Sequence, residues 1–274
     1  MVVFPNCKIN LGLHIVRKRS DNYHDLETIF FPLPFHDIVE IIRSHKAGII
    51  TTVSGPVPVV NHEENLCVRA YRILQKAFPE LPGIQLHLHK AIPTGAGLGG
   101  GSADAAFTLQ LLNKKFNLGL SAHQLMHYAL QLGSDCPFFI LNKPAFARGR
   151  GEILEPVDLD LSLYNFVIVN PHIHINTAAA FQGIKPSGPR KSVRDIVQQP
   201  VTSWASELVN DFESTVFPQY SEIRKIKEKL YELGAVYASM TGTGSTVYGM
   251  FKQTLPAIAS FPANYLVRIS GQQF

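Results

Sequence analysis

The sequence predicts a globular protein of mixed helices and strands in two domains, and three observations carry that prediction. The first is size and composition: 274 residues, 46% of them hydrophobic, can fill one large core or two ordinary ones. The second is a change of period around a glycine-rich stretch. Ile84, Leu86 and Leu88 alternate with Gln85, His87 and His89 as in a half-buried strand, whereas Ala105, Leu109, Leu112 and Phe116 recur at the spacing of one helical face. The third is the C-terminal order strand, helix, two strands, short helix, strand, which follows a boundary placed after Pro156 and matches a split βαβ unit.

Taken in order, Ile9, Leu11, Leu13 and Ile15 alternate with Lys8, Asn10, Gly12 and His14, a strand with one apolar and one polar face. Lys8 and Asn10 share the polar face about 7 Å apart; such a pair either clamps an oxygen-rich ligand or simply faces solvent. A polar turn over Arg17 to Asn22 leads to Tyr23-His24, ordinary packing residues at a hairpin shoulder, and to strands around Leu26 to Leu33 and Ile38 to Arg43. After a Gly/Pro turn at Ser54 to Pro58, Asn65 to Phe78 reads as a helix with Leu66, Ala70, Ile73, Leu74 and Ala77 on one side. Ser102 is placed to cap the helix after the glycines, and Asp104 falls in its first turn, where a negative charge suits the dipole. Ser121 and Gln124 form a capping-box pattern for a helix that stops at Gly133. Asp135, just before Pro137 and an apolar run, suits an N-cap first, with a base as the alternative. Tight turns at Arg148-Gly149-Arg150-Gly151 and Thr241-Gly242-Thr243-Gly244-Ser245 flank a strand at Phe166 to Val169 and a helix with Ile223, Ile226, Leu230 and Leu233 on one face. Strands at Val236 to Met240, Thr246 to Phe251 and Tyr265 to Ile269 and a short helix near Pro256 to Phe261 complete the pattern.

Gly95-Ala96-Gly97-Leu98-Gly99-Gly100-Gly101 carries the chemistry. A glycine loop entering a helix offers unpaired backbone N–H groups and the positive end of the dipole, without Cβ atoms to hold phosphate oxygens away. Gly95, Gly97 and Gly100 satisfy the dinucleotide pattern G-x-G-x-x-G, yet no Asp or Glu occurs from Ala105 through Ser134 to take a ribose. A Walker A loop is excluded because Ser102-Ala103, not Lys-Ser/Thr, follows the last glycine. The net charge of +4, with Arg17-Lys18-Arg19 as the one basic cluster, gives no footprint for nucleic acid. Cys7, Cys67 and Cys136 are odd in number and far apart, which points to a reducing, cytoplasmic compartment. No leader or membrane-spanning run is legible.

Pro5-Asn6-Cys7-Lys8-Ile9-Asn10-Leu11, Pro93-Thr94 with the glycine loop and Ser102-Ala103-Asp104-Ala105-Ala106, and Thr241-Gly242-Thr243-Gly244-Ser245 resemble the three ordered motifs of the GHMP small-molecule kinases. Within that family, Asn22-Tyr23-His24, Glu64-Asn65-Leu66-Cys67-Val68-Arg69-Ala70 and Gly133-Ser134-Asp135-Cys136-Pro137-Phe138-Phe139 are similar to members that phosphorylate a cytidyl diphosphate-linked methylerythritol in non-mevalonate isoprenoid synthesis. The resemblance, which runs from Pro5 to about Phe251, implies a two-domain α+β fold: a ribosomal-protein-S5-like ATP domain over 1–155 and a ferredoxin-like domain over 156–274, with the substrate between them.

It also implies ATP, with Mg2+, at Pro93, Thr94, Gly95, Ala96, Gly97, Leu98, Gly99, Gly100, Gly101, Ser102 and Ala103, joined by Asn65 and Lys90. Lys8 and Asp135 are implied as catalytic groups. Asn10, Tyr23, His24 and Phe181 are implied as substrate contacts, with cytosine stacked between Tyr23 and Phe181; no metal ligand is named. Three departures stand out: Cys7 where the family has alanine, Ala103 where a second serine is common, and Gln182 beside Phe181 where a lysine is frequent. The alternatives are a GHMP kinase for mevalonate-type, homoserine or sugar substrates, and a non-enzymatic nucleotide-binding module. No nucleic acid, membrane or obligate protein partner is expected.

Overall fold

The computed structural model describes the chain except for residues 58–64, 185, 187–189, 253, 254, 256, 258, 259 and 271–274. Strands β1 (Val2–Val3), β2 (Asn6–Lys18), β3 (His24–His36), β4 (Ile38–Arg43) and β5 (Ile49–Ser54) lead to helix α1 (Leu66–Ala77) and strand β6 (Ile84–His89). Helices α2 (Gly100–Phe116), α3 (Ala122–Leu132) and α4 (Cys136–Leu141) follow, then strands β7 (Ala145–Gly149), β8 (Ile153–Pro156) and β9 (Asn165–Asn170). Beyond these come α5 (Thr177–Gln182), α6 (Val193–Val197), α7 (Trp204–Glu207), α8 (Glu213–Val216), α9 (Ser221–Glu232), β10 (Tyr237–Met240), β11 (Val247–Phe251) and β12 (Leu266–Ile269). Pro58, Glu64 and half of the short helix expected near Pro256 to Phe261 lie outside the described residues.

The elements gather into two compact units that interleave along the chain. One holds Met1–Cys7, Phe35–Thr94 and Gly99–Lys143, the other Lys8–Pro34, Gly95–Leu98 and Pro144–Phe274.

In the first unit the sheet runs β1-β4-β6-β5, antiparallel except for the parallel pair β5 and β6. Ile84, Leu86 and Leu88 of β6 are buried, as their alternation requires. Helix α1 buries Cys67, Val68, Ala70, Tyr71 and Leu74, and its N-cap is Asn65, whose Oδ1 accepts from the Cys67 N–H at 2.9 Å. Helix α2 packs against α1, α3 and α4 and is buried on more than the single stripe expected, with Ala106, Thr108 and Leu111 covered as well. Its start differs from the sequence reading. Gly99 in a left-handed conformation is the N-cap, so Ser102 lies inside the first turn and caps nothing. The capping box at Ser121 forms as read: Gln124 N–H donates to the Ser121 hydroxyl at 3.3 Å, and Ser121 N–H donates to Gln124 Oε1 at 2.9 Å.

The second unit has two sheets. One runs β2-β3-β7-β8; the other runs β10-β11-β9-β12, antiparallel throughout, the order of the ferredoxin-like pattern. Its core collects Leu13, Ile15, Val167, Val169, Phe212 and Met240, and α9 contributes Ile223, Ile226 and Leu230. Helices α5 to α8, of four to six residues, are too short to show a period and have no counterpart in the sequence reading. The polar face of β2 is buried rather than solvent-facing: Lys8 is 4% exposed, and Asn10 and His14 are 2% exposed.

Replacing Ser121 by Ala should cost about 1 kcal/mol, the usual value of an N-cap. At this size that lowers the thermal midpoint by roughly 2–4 °C, while Ser121→Thr should leave it nearly unchanged. Thermal melts of both variants check this.

Candidate active site

The two ends of the glycine loop lie in different units and are built differently. In the first unit Gly99, at φ +69°, turns the chain into α2 and leaves the N–H groups of its first turn without helical partners. The glycines that follow serve distinct purposes. A Cβ on Gly100 would lie 2.8 Å from Ile92 Cγ2 and 2.9 Å from Lys90 Nζ, so this glycine is demanded by packing. On Gly101 a Cβ would meet nothing nearer than Leu66 Cδ1 at 3.8 Å, which leaves open space at the helix start. Room for a ligand is therefore not the common reason for the glycines.

Lys90, expected against ATP, has its ammonium buried and bonded to Asp37 and, at 2.9 Å, to Asp104. It supports the loop from behind instead of reaching outward. Asp104, expected in the first turn of α2, lies beyond it because the helix already starts at Gly100, and its carboxylate is buried in the same cluster. Asn65 uses its Oδ1 to cap α1, while its buried Nδ2 has no partner among the described residues. Asp135 occupies the N-cap position of α4 with φ −82° and ψ −17°, but its carboxylate makes no cap hydrogen bond. The cap reading thus lacks the bond that would define it. Burial pushes the neighbouring Cys136 thiol up to about 12, so it is no nucleophile near neutral pH.

In the second unit β2, the loop's first half and the turn after β10 are locked together. The Leu98 carbonyl accepts from Lys8 N–H at 2.9 Å. The Thr241 hydroxyl accepts from Asn10 N–H at 3.0 Å, with the Gly97 carbonyl and Asn10 Oδ1 as alternative acceptors at 3.0 and 3.1 Å. The approach is so close that a Cβ on Gly97 would fall 2.0 Å from the Thr241 carbonyl oxygen, and one on Gly242 would fall 3.0 Å from Gly97 Cα. Asn210, which sequence reasoning missed, holds this turn from the other side by donating to the Met240 and Gly242 carbonyls at 2.7 and 2.9 Å. Lys8 Nζ donates to Asn10 Oδ1 at 2.7 Å and lies 4.7 Å from the Phe30 ring centroid; Asn10 Nδ2 donates to Thr28 at 3.1 Å. Both ends of the Asn10 amide are therefore engaged within the protein, and Asn10 orients Lys8.

The aromatic residues also differ from expectation. The ring stacked on Phe181 is His24, with centroids 5.1 Å apart and planes at 21°, and Phe212 meets Phe181 edge-on at 4.8 Å. Tyr23, 56% exposed, lies under the Arg150 guanidinium at 5.1 Å from its centroid. Arg150 was read only as part of a turn; nothing in its local pattern announces this contact. Burial, helped by Lys18, lowers the His24 pKa, which keeps the ring neutral around pH 7.

Family models match this chain twice: the GHMP kinases N terminal domain over residues 65–143 and the GHMP kinases C terminal model over 195–266. A 4-diphosphocytidyl-2-C-methyl-D-erythritol kinase of Azobacteroides pseudotrichonymphae is 52% identical over 95% of this chain and 97% of its own length. One from Bacteroides fragilis is 51% identical over 92% of each. A solved structure of 4-(cytidine 5'-diphospho)-2C-methyl-D-erythritol kinase aligns with a TM-score of 0.78 at 30% identity, covering 91% of this chain and 90% of that one. The chain therefore belongs to the GHMP kinases, ATP-dependent small-molecule kinases, and within them to the 4-diphosphocytidyl-2-C-methyl-D-erythritol kinase family.

The two neighbouring helix glycines should respond oppositely to alanine. Gly100→Ala must displace Ile92 or Lys90 and should lower the thermal midpoint, whereas Gly101→Ala has room and should raise stability by roughly 0.5–1 kcal/mol through reduced backbone entropy. Differential scanning calorimetry on both variants distinguishes the two sites.

Proposed function

We propose that this protein transfers the γ-phosphoryl group of ATP to the 2-hydroxyl of 4-diphosphocytidyl-2-C-methyl-D-erythritol, giving the 2-phosphate and ADP, in the non-mevalonate route to isoprenoids. The observation that carries this reading is the buried network in which Thr241, Gly97, Asn10 and Lys8 join three sequence segments around one lysine ammonium. The functional division at 155/156 accords with family models that match on either side of it. A cytoplasmic location accords with three free, buried cysteines, and no described helix is long and apolar enough to cross a membrane.

Phosphoryl transfer passes through a loose transition state, so the protein's work is alignment and charge neutralisation. The acceptor oxygen bonds to the γ-phosphorus as the bond to the bridging β–γ oxygen breaks, and ADP leaves with that electron pair. Because the hydroxyl proton departs late, a positioned carboxylate suffices as its acceptor, and Asp135 takes that role. Lys8, held by Asn10, supplies positive charge to the transferring oxygens. The open N–H groups at the start of α2 receive triphosphate oxygens, and the orphan Nδ2 of Asn65 offers a donor to the nucleotide. Mg2+ would arrive with the triphosphate. Among the described residues no three His, Cys, Asp or Glu side chains gather to hold a metal ion. Cytosine binds against the ring set of Tyr23, His24 and Phe181, with neutral His24 available for a hydrogen bond.

Incubation with ATP, Mg2+ and the cytidyl substrate, with the products resolved by ³¹P NMR, tests the whole reading; a spectrum without a new phosphomonoester signal would refute it. Asp135→Asn should lower kcat by about 10² to 10⁴ while leaving ATP affinity near wild type. An unchanged kcat per folded molecule would remove Asp135 from the reaction.

Tyr23→Ala and Phe181→Ala should each raise KM for the cytidyl substrate about ten- to a hundredfold, from stacking worth roughly 1 to 3 kcal/mol per base, with KM for ATP hardly moved. Exposed Tyr23 should cost little stability, whereas Phe181, packed on Phe212, should also lower the midpoint. The double variant should depart from additivity by at least about 0.5 kcal/mol if both rings hold one base. Steady-state kinetics and melts on the three variants supply the comparison.

A further inference from the structure

Behind the first residue of α2 lies an ionic cluster that the phosphoryl transfer does not use. Asp37, Lys90 and Asp104 are respectively 0%, 2% and 2% exposed. Lys90 Nζ donates to Asp37 Oδ2 and, at 2.9 Å, to Asp104 Oδ2. The other oxygen of Asp37 accepts from the N–H groups of Ala91 and Ile92 at 2.6 and 2.8 Å. Both oxygens of Asp37 thus accept hydrogen bonds. Asp104 differs: its Oδ1 is buried without a partner among the described residues. A buried carboxylate with one orphaned oxygen is costly when charged and much less so when it carries a proton.

The groups acting on Asp104 come from every element around it. Burial pushes its carboxyl up to about 7; Lys90, from the segment after β6, pulls it down, and Asp37, from the β3–β4 connection, pushes it up. Cys67 on α1 is held as the thiol by its own burial, and the Thr108 hydroxyl is engaged by the Asp104 carbonyl at 2.7 Å. With Asp104 protonated, the cluster carries one positive and one negative charge. With Asp104 ionised, it carries a net negative charge. The site of a Cβ on Gly100 is only 2.9 Å from Lys90 Nζ, so the cluster directly underlies the helix start that attracts anions.

We propose that Asp104 is a positioning residue that acts through Lys90 and Gly100, and that its proton sets how strongly the start of α2 holds the ATP phosphates. Neutral Asp104 leaves the Lys90–Asp37 pair balanced beneath Gly100; ionised Asp104 adds a buried negative charge next to the incoming phosphates. ATP affinity therefore falls as pH rises through neutrality, and ATP binding takes up a proton. This rests on ATP occupying the glycine loop.

The test is calorimetric titration of the full chain with a non-hydrolysable ATP analogue and Mg2+ at pH 6 and pH 8.5, in buffers of different ionisation heat, for wild type and Asp104→Asn. The analogue's own ionisation is common to both proteins and cancels in the comparison. Wild-type Kd should rise about tenfold across this range, as for one unit charge in a medium of low effective dielectric, with proton uptake near neutrality. Asp104→Asn should keep the wild-type pH 6 affinity at both values and take up correspondingly less proton. A variant that melts lower but retains the wild-type pH dependence, or a wild type whose Kd does not change with pH, overturns the proposal and leaves Asp104 a structural group. Should Asp104→Asn not fold, ¹³C carboxyl shifts of the wild type decide: an aspartate titrating near neutrality whose midpoint rises on binding the analogue supports the proposal, and its absence overturns it. Failure of wild type to bind the analogue at any pH overturns the ATP-loop reading along with it.

Discussion

The Thr241 hydroxyl is the constraint on which the junction of β2 with the two glycine turns depends. It accepts from Asn10 N–H and lies within hydrogen-bonding distance of the Gly97 carbonyl, so β2 and two glycine turns meet around one oxygen. A Cβ at 97 would clash with the Thr241 carbonyl, and one at 242, where φ is +56°, would crowd Gly97. The rest follows in sequence: Asn10, fixed through its backbone, directs Oδ1 at Lys8, and Thr28 holds the other end of the amide. The Tyr248 hydroxyl adds a bond of 2.8 Å to the Asn10 carbonyl, and Asn210 fastens the turn from behind. Every buried polar atom of this junction named here has a partner, which is how a lysine and an amide persist where apolar side chains would otherwise pack.

The first unit solves a related problem with ions. Lys90 is buried among carboxylates rather than amides, and such a cluster is weak evidence of stability because desolvation offsets most of its attraction. Its value lies in geometry. Two aspartates from separate segments converge on one ammonium, and that ammonium limits how far Gly100 can move.

Much of this was legible where a local pattern carries the information. Alternation located β2 and β6, the Ser121–Gln124 pair located the start of α3, and the density of glycine marked the entry to α2. What stayed hidden depends on residues far away in sequence. The period-two pattern of β2 shows a polar face but not that the face is covered, because Thr241 and Tyr248 lie more than 200 residues further on. A glycine string looks uniform, yet Gly99 answers a backbone angle, Gly100 a packing clash, and Gly101 neither. Likewise, no local rule distinguishes a lysine that reaches a ligand from one such as Lys90, whose carboxylate partners sit 53 and 14 residues away. The aromatic rings show the same limit: Tyr23 and His24 are neighbours in sequence, but only the fold decides which of them stacks on Phe181.

The interleaving of the two units has a consequence for how the chain acquires its structure. Strand β2 is among the first segments made, but its backbone partners include Val209 and Asp211, and Asn10 bonds to Thr241 across 231 residues. Contacts of such separation must overcome the entropy of closing a very long loop before they return any stability. Lys8 and Asn10 therefore reach their working positions only after the chain has been made through Thr241 and Tyr248. On the ribosome, the strand that carries Lys8 and Asn10 waits for a partner made 231 residues later before its buried network can close.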